Sequence, residues 1–217
     1  MQIFGVHTDG REAAQKLELV HVGSQLRESV QILSTVLHWY GKPLTGVVAT
    51  PRGNRQPYKP FNANHPGVRW AGASQQHFKW LLRHADSLDS RWWEYKRCEE
   101  HHLCHYFLVH IHDSLRERAP DSYPQQMPAT ITADAWLATL DPHLAEQWAP
   151  RVATLNPPDG CAFGLLLMEP EHRVPNDWVA SYTQYYAYKL TKPTVTRIKR
   201  PREEAEAVDA PVAVECA

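Results

Sequence analysis

Several classes of protein are excluded by what this chain lacks. Its 217 residues hold no stretch near the roughly 20 uncharged apolar residues that a membrane helix needs. The opening Met1-Gln2-Ile3-Phe4 has neither the basic flank nor the apolar run of a signal peptide. A cytoplasmic protein without membrane partners is therefore expected. Cysteine is scarce: Cys98, Cys104, Cys161 and Cys216 show no framework spacing, so free thiols are expected rather than disulfides. There is no Gly-x-x-x-x-Gly-Lys loop and no dinucleotide fingerprint, which argues against a kinase or an NAD-dependent enzyme. No lysine stands in a recognisable Schiff-base context, so pyridoxal phosphate is not indicated. Charge of one sign is also missing. With a formal net charge of −1, global electrostatics point neither to a nucleic-acid binder nor to an enzyme of acidic substrates.

Apolar residues make up 43% of the chain, enough for one sizeable core, and their spacing is helical. The expected fold is mainly α: a single-domain helical bundle with long proline-rich loops, residues 1–200 forming a helical catalytic domain and 201–217 a disordered acidic tail. Ile3 to Val6 start the chain as a strand or extended arm. Leu17, Val20, Val22, Leu26, Val30, Leu33 and Leu37 then predict one long helix over about 12–40. Pro43, Pro51, Pro57 and Pro60 make 41–66 a loop. Asn64-His65-Pro66-Gly67 opens a second helix reaching about His84, because Asn is a good cap and proline is tolerated in a first turn. An aromatic-rich third helix covers about 86–112. Residues 119–158, rich in proline, read as an irregular, lid-like region with one short helix at 132–140. The apolar run 161–168 is too short to classify, and a last helix spans about 176–190. The basic segment Lys189 to Arg202 suits either phosphate binding or a solvated arm.

Four constellations carry possible chemistry. His21, Ser24, Glu28, Gln31 and Thr35 recur every three or four residues and so share a helix face. That face either lines a cavity or meets solvent. Trp70, Ser74, His77, Leu81 and His84, with Trp80 adjacent, either cradle a flat ring or belong to the core. Cys98, His102 and His105 fall on one face of the expected third helix, a zinc-compatible spacing. Arg97 beside these histidines equally suits a phosphate, and no metal or cofactor is the favoured expectation. The stripe Trp178, Tyr182, Tyr185 or Tyr186, and Lys189 reads as core or as a base-stacking platform.

In order along the chain, these pieces resemble a family of tailed-phage proteins. The matching elements are Met1-x-Ile3-Phe4, Ala13-Ala14, His21-Val22, Glu28-Ser29, Gln31, Ser34-Thr35, Asn64-His65-Pro66, Trp70, Ser74 and Trp80-Leu81. They continue with Arg97 followed five residues later by His102, then more loosely Met168-Glu169-Pro170-Glu171 and Tyr182-x-x-Tyr185-Tyr186. The family is that of the alpha-glutamyl/putrescinyl thymine pyrophosphorylases, the amino acid:DNA transferases of thymine hypermodification, and the resemblance runs from Met1 to Lys189. This chain departs from it at His7, Leu19-Val20 and Ser24. The resemblance implies DNA with a modified thymine and an amino acid or other small amine as partners. The (pyro)phosphate on 5-hydroxymethyluracil would be displaced by the amine. Glu28 or His21 would then take a proton from the amine, and His102 would act in catalysis. Gln31, Asn64, His65, Arg69, Ser74 and Arg97 would surround substrate and phosphate, and Trp70, Trp80 and Tyr185 would stack on the base. Two alternatives use the same residues: a DNA glycosylase-like enzyme on modified bases, and a non-enzymatic phage accessory protein that binds nucleotide or DNA. The enzymatic expectation requires His21, Glu28, Asn64, His65, Arg97 and His102 to converge in one pocket.

Overall fold

The computed structural model describes residues 3–116, 126–153 and 164–192. The expected tail at 201–217, Cys161, Cys216, Pro120, Pro124 and the basic segment beyond Lys192 lie outside the described residues. The fold is mainly α, with helices packed into one compact body. No helix among the described residues is long and apolar enough to cross a membrane.

The long first helix is in fact two. Asp9 accepts hydrogen bonds from the Arg11 and Glu12 amides and starts α1 (Gly10–Gln15); α2 follows over Leu19–Trp39. The break between them is held by side chains from elsewhere. Arg91 donates to the Ala14 and Leu17 carbonyls, 2.6 Å each, and the Tyr186 hydroxyl accepts from the Glu18 amide at 2.6 Å. These contacts satisfy backbone groups that a helix end leaves unpaired.

The second expected helix also divides. α3 (Pro66–Ala71) is capped by His65, whose Nδ1 accepts from the Gly67 amide. Ser74 then caps α4 (Gln75–Tyr95), which runs straight through the expected boundary near Ala85. The real interruption comes later, at 96–102, where Arg97 and Cys98 adopt positive φ of 52° and 61°, and α5 (Leu103–Arg116) begins.

α2 and α4 pack along each other, with α1 laid on α4 and α3 and α5 against α2. Their shared faces bury Leu26, Val30, Leu33 and Leu37 of α2 against Phe78, Leu81, Ala85 and Leu88 of α4. Each of these side chains larger than alanine contributes about 1.5–3 kcal/mol of burial free energy. The residues before α1 form no sheet. Ile3, Phe4 and Val6 are instead an extended arm inserted into the core, anchored by Gln25, whose Oε1 accepts from the Phe4 amide at 3.2 Å.

The proline-rich region is not a lid where it is described. It folds into α6 (Ala133–Ala138) and α7 (Pro142–Trp148), capped by Thr132 and Asp141, and is pinned by stacked Trp136 and Trp148. Gln75 donates its backbone N–H to the Pro128 carbonyl, and Met127 is buried, so this segment is part of the core wall. β1 (Val152–Ala153) pairs antiparallel with β2 (Gly164–Leu165). α8 (Trp178–Thr191), capped by Asp177, completes the described chain close to its expected position.

Candidate functional site

The end of α4, the 96–102 turn and the first turn of α5 form one wall of an open cleft of about 680 Å³. Arg27 of α2 and the Pro51 to Tyr58 loop supply the other side. Helix geometry explains why Arg27 arrives here. It lies one turn beyond Gly23, where a Cβ would meet the Trp92 ring at 2.7 Å, so this face of α2 is the one pressed to the end of α4. Positive charge comes from Arg27 and Arg52, the latter paired at 2.8 Å with Glu100 in an exposed salt bridge. Trp92, Trp93 and Tyr106 give the cleft aromatic walls.

His102 is fixed in this wall by two contacts. Its Nδ1 accepts from the Cys104 amide at 3.1 Å, occupying a free donor of α5. Its ring meets Trp92 edge-on at 4.8 Å. With Nδ1 accepting, the proton of the neutral ring sits on Nε2. Burial lowers the His102 pKa, and the nearby Arg27 and Arg52 charges push the same way, against Asp89 and Glu100. His102 therefore presents a neutral N–H donor. Cys104 is no nucleophile: burial pushes its thiol up to about 11 despite a hydrogen bond with the Tyr58 hydroxyl.

Beside His102, three rings stack in series. Trp93 lies on His101 at 4.0 Å and His101 on His105 at 3.7 Å. His105 Nδ1 is 2.6 Å from Asp89 Oδ2. Burial lowers the His101 pKa, with His105 adding to the effect and Asp89 opposing it. Asp89, His101 and His105 each offer one ligand atom within 4.8 Å of the others. This group differs from the zinc-compatible spacing of Cys98, His102 and His105. Because the chain breaks at 96–102, Cys98 is exposed on a left-handed turn and His102 Nδ1 is engaged, so Cys98, His102 and His105 do not share a helix face.

Searches of family models, of characterised proteins and of solved structures each returned no match.

Of the residues expected to converge, the cleft lining holds His102 but not His21, Glu28, Asn64, His65 or Arg97. His21 and Glu28, two turns apart, share a face of α2 that is roughly a third of a turn from Arg27. On that face His21 Nδ1 lies 2.9 Å from the Tyr186 hydroxyl, with Phe4 against the ring. Burial lowers the His21 pKa, against the Glu18 charge and with that of Lys189. Glu28 and Gln31 are half-buried. Asn64 accepts from the Arg69 guanidinium at 2.7 Å, and Arg69 lies 4.5 Å over the Trp39 ring. Arg97 is exposed on its turn. His65 and Ser74 are occupied as helix caps.

The expected stacking platform is core instead. Trp70 is 7% and Trp80 6% exposed, and each is already stacked, on His77 and His84 respectively. The cavity they border with Gly5, Leu165 and Trp178 holds about 30 Å³, room for a water and not for a base. Tyr185 is likewise enclosed, between Phe4 and His172 with Lys189 over its ring. Periodicity missed Arg27, Arg52, Asp89 and His101, because their proximity depends on packing between elements. The one sequence signal for them was the i, i+4 spacing of His101 and His105.

Proposed function

We propose that this chain is a phage DNA-modifying transferase that replaces the (pyro)phosphate of phosphorylated 5-hydroxymethyluracil in DNA with an amine such as an amino acid. The observation that supports it is the cleft, whose lining combines Arg27, Arg52 and His102 with Trp92, Trp93 and Tyr106. Guanidinium groups match phosphate oxygens, and aromatic walls suit a base drawn out of the stack. The amine lone pair forms the new C–N bond at the methylene carbon as the C–O bond breaks. The bonding electrons leave with the phosphate, whose growing charge Arg27, Arg52 and His102 stabilise. The proton shed by the ammonium passes to a carboxylate on the cleft wall, Glu99. Glu28 and His21, which do not line the cleft, give up that role.

Nucleoside mass spectrometry after incubation of phosphorylated 5-hydroxymethyluracil DNA with the protein and a panel of amino acids tests this. An amine-substituted nucleoside is expected. Its rate should fall about 100-fold in Arg27→Ala and in His102→Asn, which keeps a capping acceptor but loses the donor. Free base or abasic sites would identify a glycosylase-like enzyme instead. One observation favours a second reading, a DNA- or nucleotide-binding accessory protein: the residues of the family resemblance are divided between the cleft and the core. It predicts DNA retention in a binding assay with no change of nucleoside mass.

A further inference from the structure

We propose that Asp89, His101 and His105 form a three-ligand site for a divalent transition-metal ion at the edge of the cleft. His101 and His105 stand four residues apart across the start of α5, and Asp89 reaches them from α4. Their ligand atoms lie within 4.8 Å of one another; to bind an ion at about 2.0–2.2 Å the two imidazoles, stacked at 3.7 Å, tilt off each other so that their in-plane lone pairs converge. Two imidazoles and a carboxylate are the donor set of zinc and its first-row neighbours, and are too nitrogen-rich for magnesium or calcium.

A second observation points to a ligand independently of spacing. Asp89 Oδ1 and His101 Nδ1 are both buried with no hydrogen-bond partner. Asp89 turns its other oxygen to His105, so one carboxylate oxygen and one ring nitrogen bear a desolvation cost that nothing offsets. A metal ion held by Asp89, His101 and His105 would give these two residues the partner that the protein does not. Trp93 on one face of His101 and Tyr106 edge-on to both imidazoles limit where the rings can swing. Three protein ligands leave at least one coordination position open, and one of them, His101, also lines the cleft. The site stands whether or not the DNA reading does.

Cobalt(II) titrated into the full-length, metal-stripped protein reads the site directly. One equivalent is expected to raise the visible ligand-field band of a nitrogen–oxygen site, without the intense near-ultraviolet band of thiolate ligation, and zinc should displace it. Asp89→Asn and His105→Ala should each weaken binding by about 100-fold or more, while Cys98→Ser leaves it unchanged; circular dichroism establishes that each variant is folded. Absence of a stoichiometric band, a thiolate band lost in Cys98→Ser, or wild-type affinity in folded Asp89→Asn and His105→Ala would each overturn the proposal.

Discussion

A Cβ added at Gly10 would lie 2.2 Å from the Trp80 carbonyl oxygen. The first residue of α1 is therefore glycine because the backbone of α4 occupies the space a side chain would need. Gly10→Ala must push the two helices apart, and a loss of about 2 kcal/mol is expected in urea unfolding; an unchanged midpoint would show that the helices yield freely. Single contacts likewise account for buried polar residues of α2. Gln25 holds the N-terminal arm, Ser34 donates to the Tyr58 carbonyl, and Thr35 donates to the Gln31 carbonyl while accepting from the Phe61 amide. Buried polar side chains need partners, and most of these find them in the loops that cross the helix rather than in a ligand. Of the polar seam proper, Thr35 fastens the loop at Phe61, His21 meets the Tyr186 hydroxyl, and Ser24 donates back to the His21 carbonyl.

The turn between α4 and α5 decides where the cleft is. Two consecutive non-glycine residues in the left-handed region, Arg97 and Cys98, cost about 1 kcal/mol or more each relative to glycine. Cys98→Gly is expected to stabilise the protein by about 1 kcal/mol, read as a higher denaturant midpoint; destabilisation would mean that the exposed thiol makes a contact worth more than the strain. Below the turn, α4 and α5 are joined by a pair of like bridges, Asp89 with His105 and Asp86 with His112 at 2.6 and 2.7 Å. Asp86 and Asp89 are one turn apart, and His105 and His112 two turns, so both partners of each bridge lie on the facing sides of the helices. The aromatic-rich run that reads as one continuous helix is instead two helices closed on each other, and this closure brings His101 and His102 into the same cleft as Arg27.

At the scale of the whole molecule, two neutral histidines in the core link stability to pH. His77 and His84 are fully buried, donate from Nδ1 to the Trp70 and Gly10 carbonyls, and burial lowers each pKa to about 4. In the unfolded chain they titrate near the ordinary value of about 6.5. Between those values the unfolded state binds more protons than the folded one, so their contribution is fully present above about pH 6.5 and lost as pH falls towards 4. The slope approaches about 1.4 kcal/mol per pH unit for each histidine. Urea midpoints should drop steeply from pH 6.5 to 4.5, and His84→Asn, which keeps a donor for Gly10, should flatten the curve. Equal slopes in the two proteins would rule His84 out as a source.

The helical class, the apolar stripe of α2, the start of α3 at Pro66, the short helix after Thr132 and the place of α8 were all legible in the residues. Each is a local property: a period, a cap, or a proline that cannot donate. Helix breaks at Lys16 and Ala73 were not legible, because distant groups make them, Arg91 and Tyr186 at the first and the Tyr40 hydroxyl on the Gly72 carbonyl at the second. The candidate site was half visible. Histidine-rich spacing pointed to residues 101–105, and family-like motifs added His102, but the same motifs also selected Trp70, Ser74 and His65, which serve packing and capping. A chain can announce which side chains it spends on chemistry-capable residues, since composition and spacing are written along it. Which of them face one another depends on how helices cross, and only the packing of α2 against α4, with α5 folded back beside them, assembled Arg27, His101 and His102 around one cleft and set Asp89 against His105.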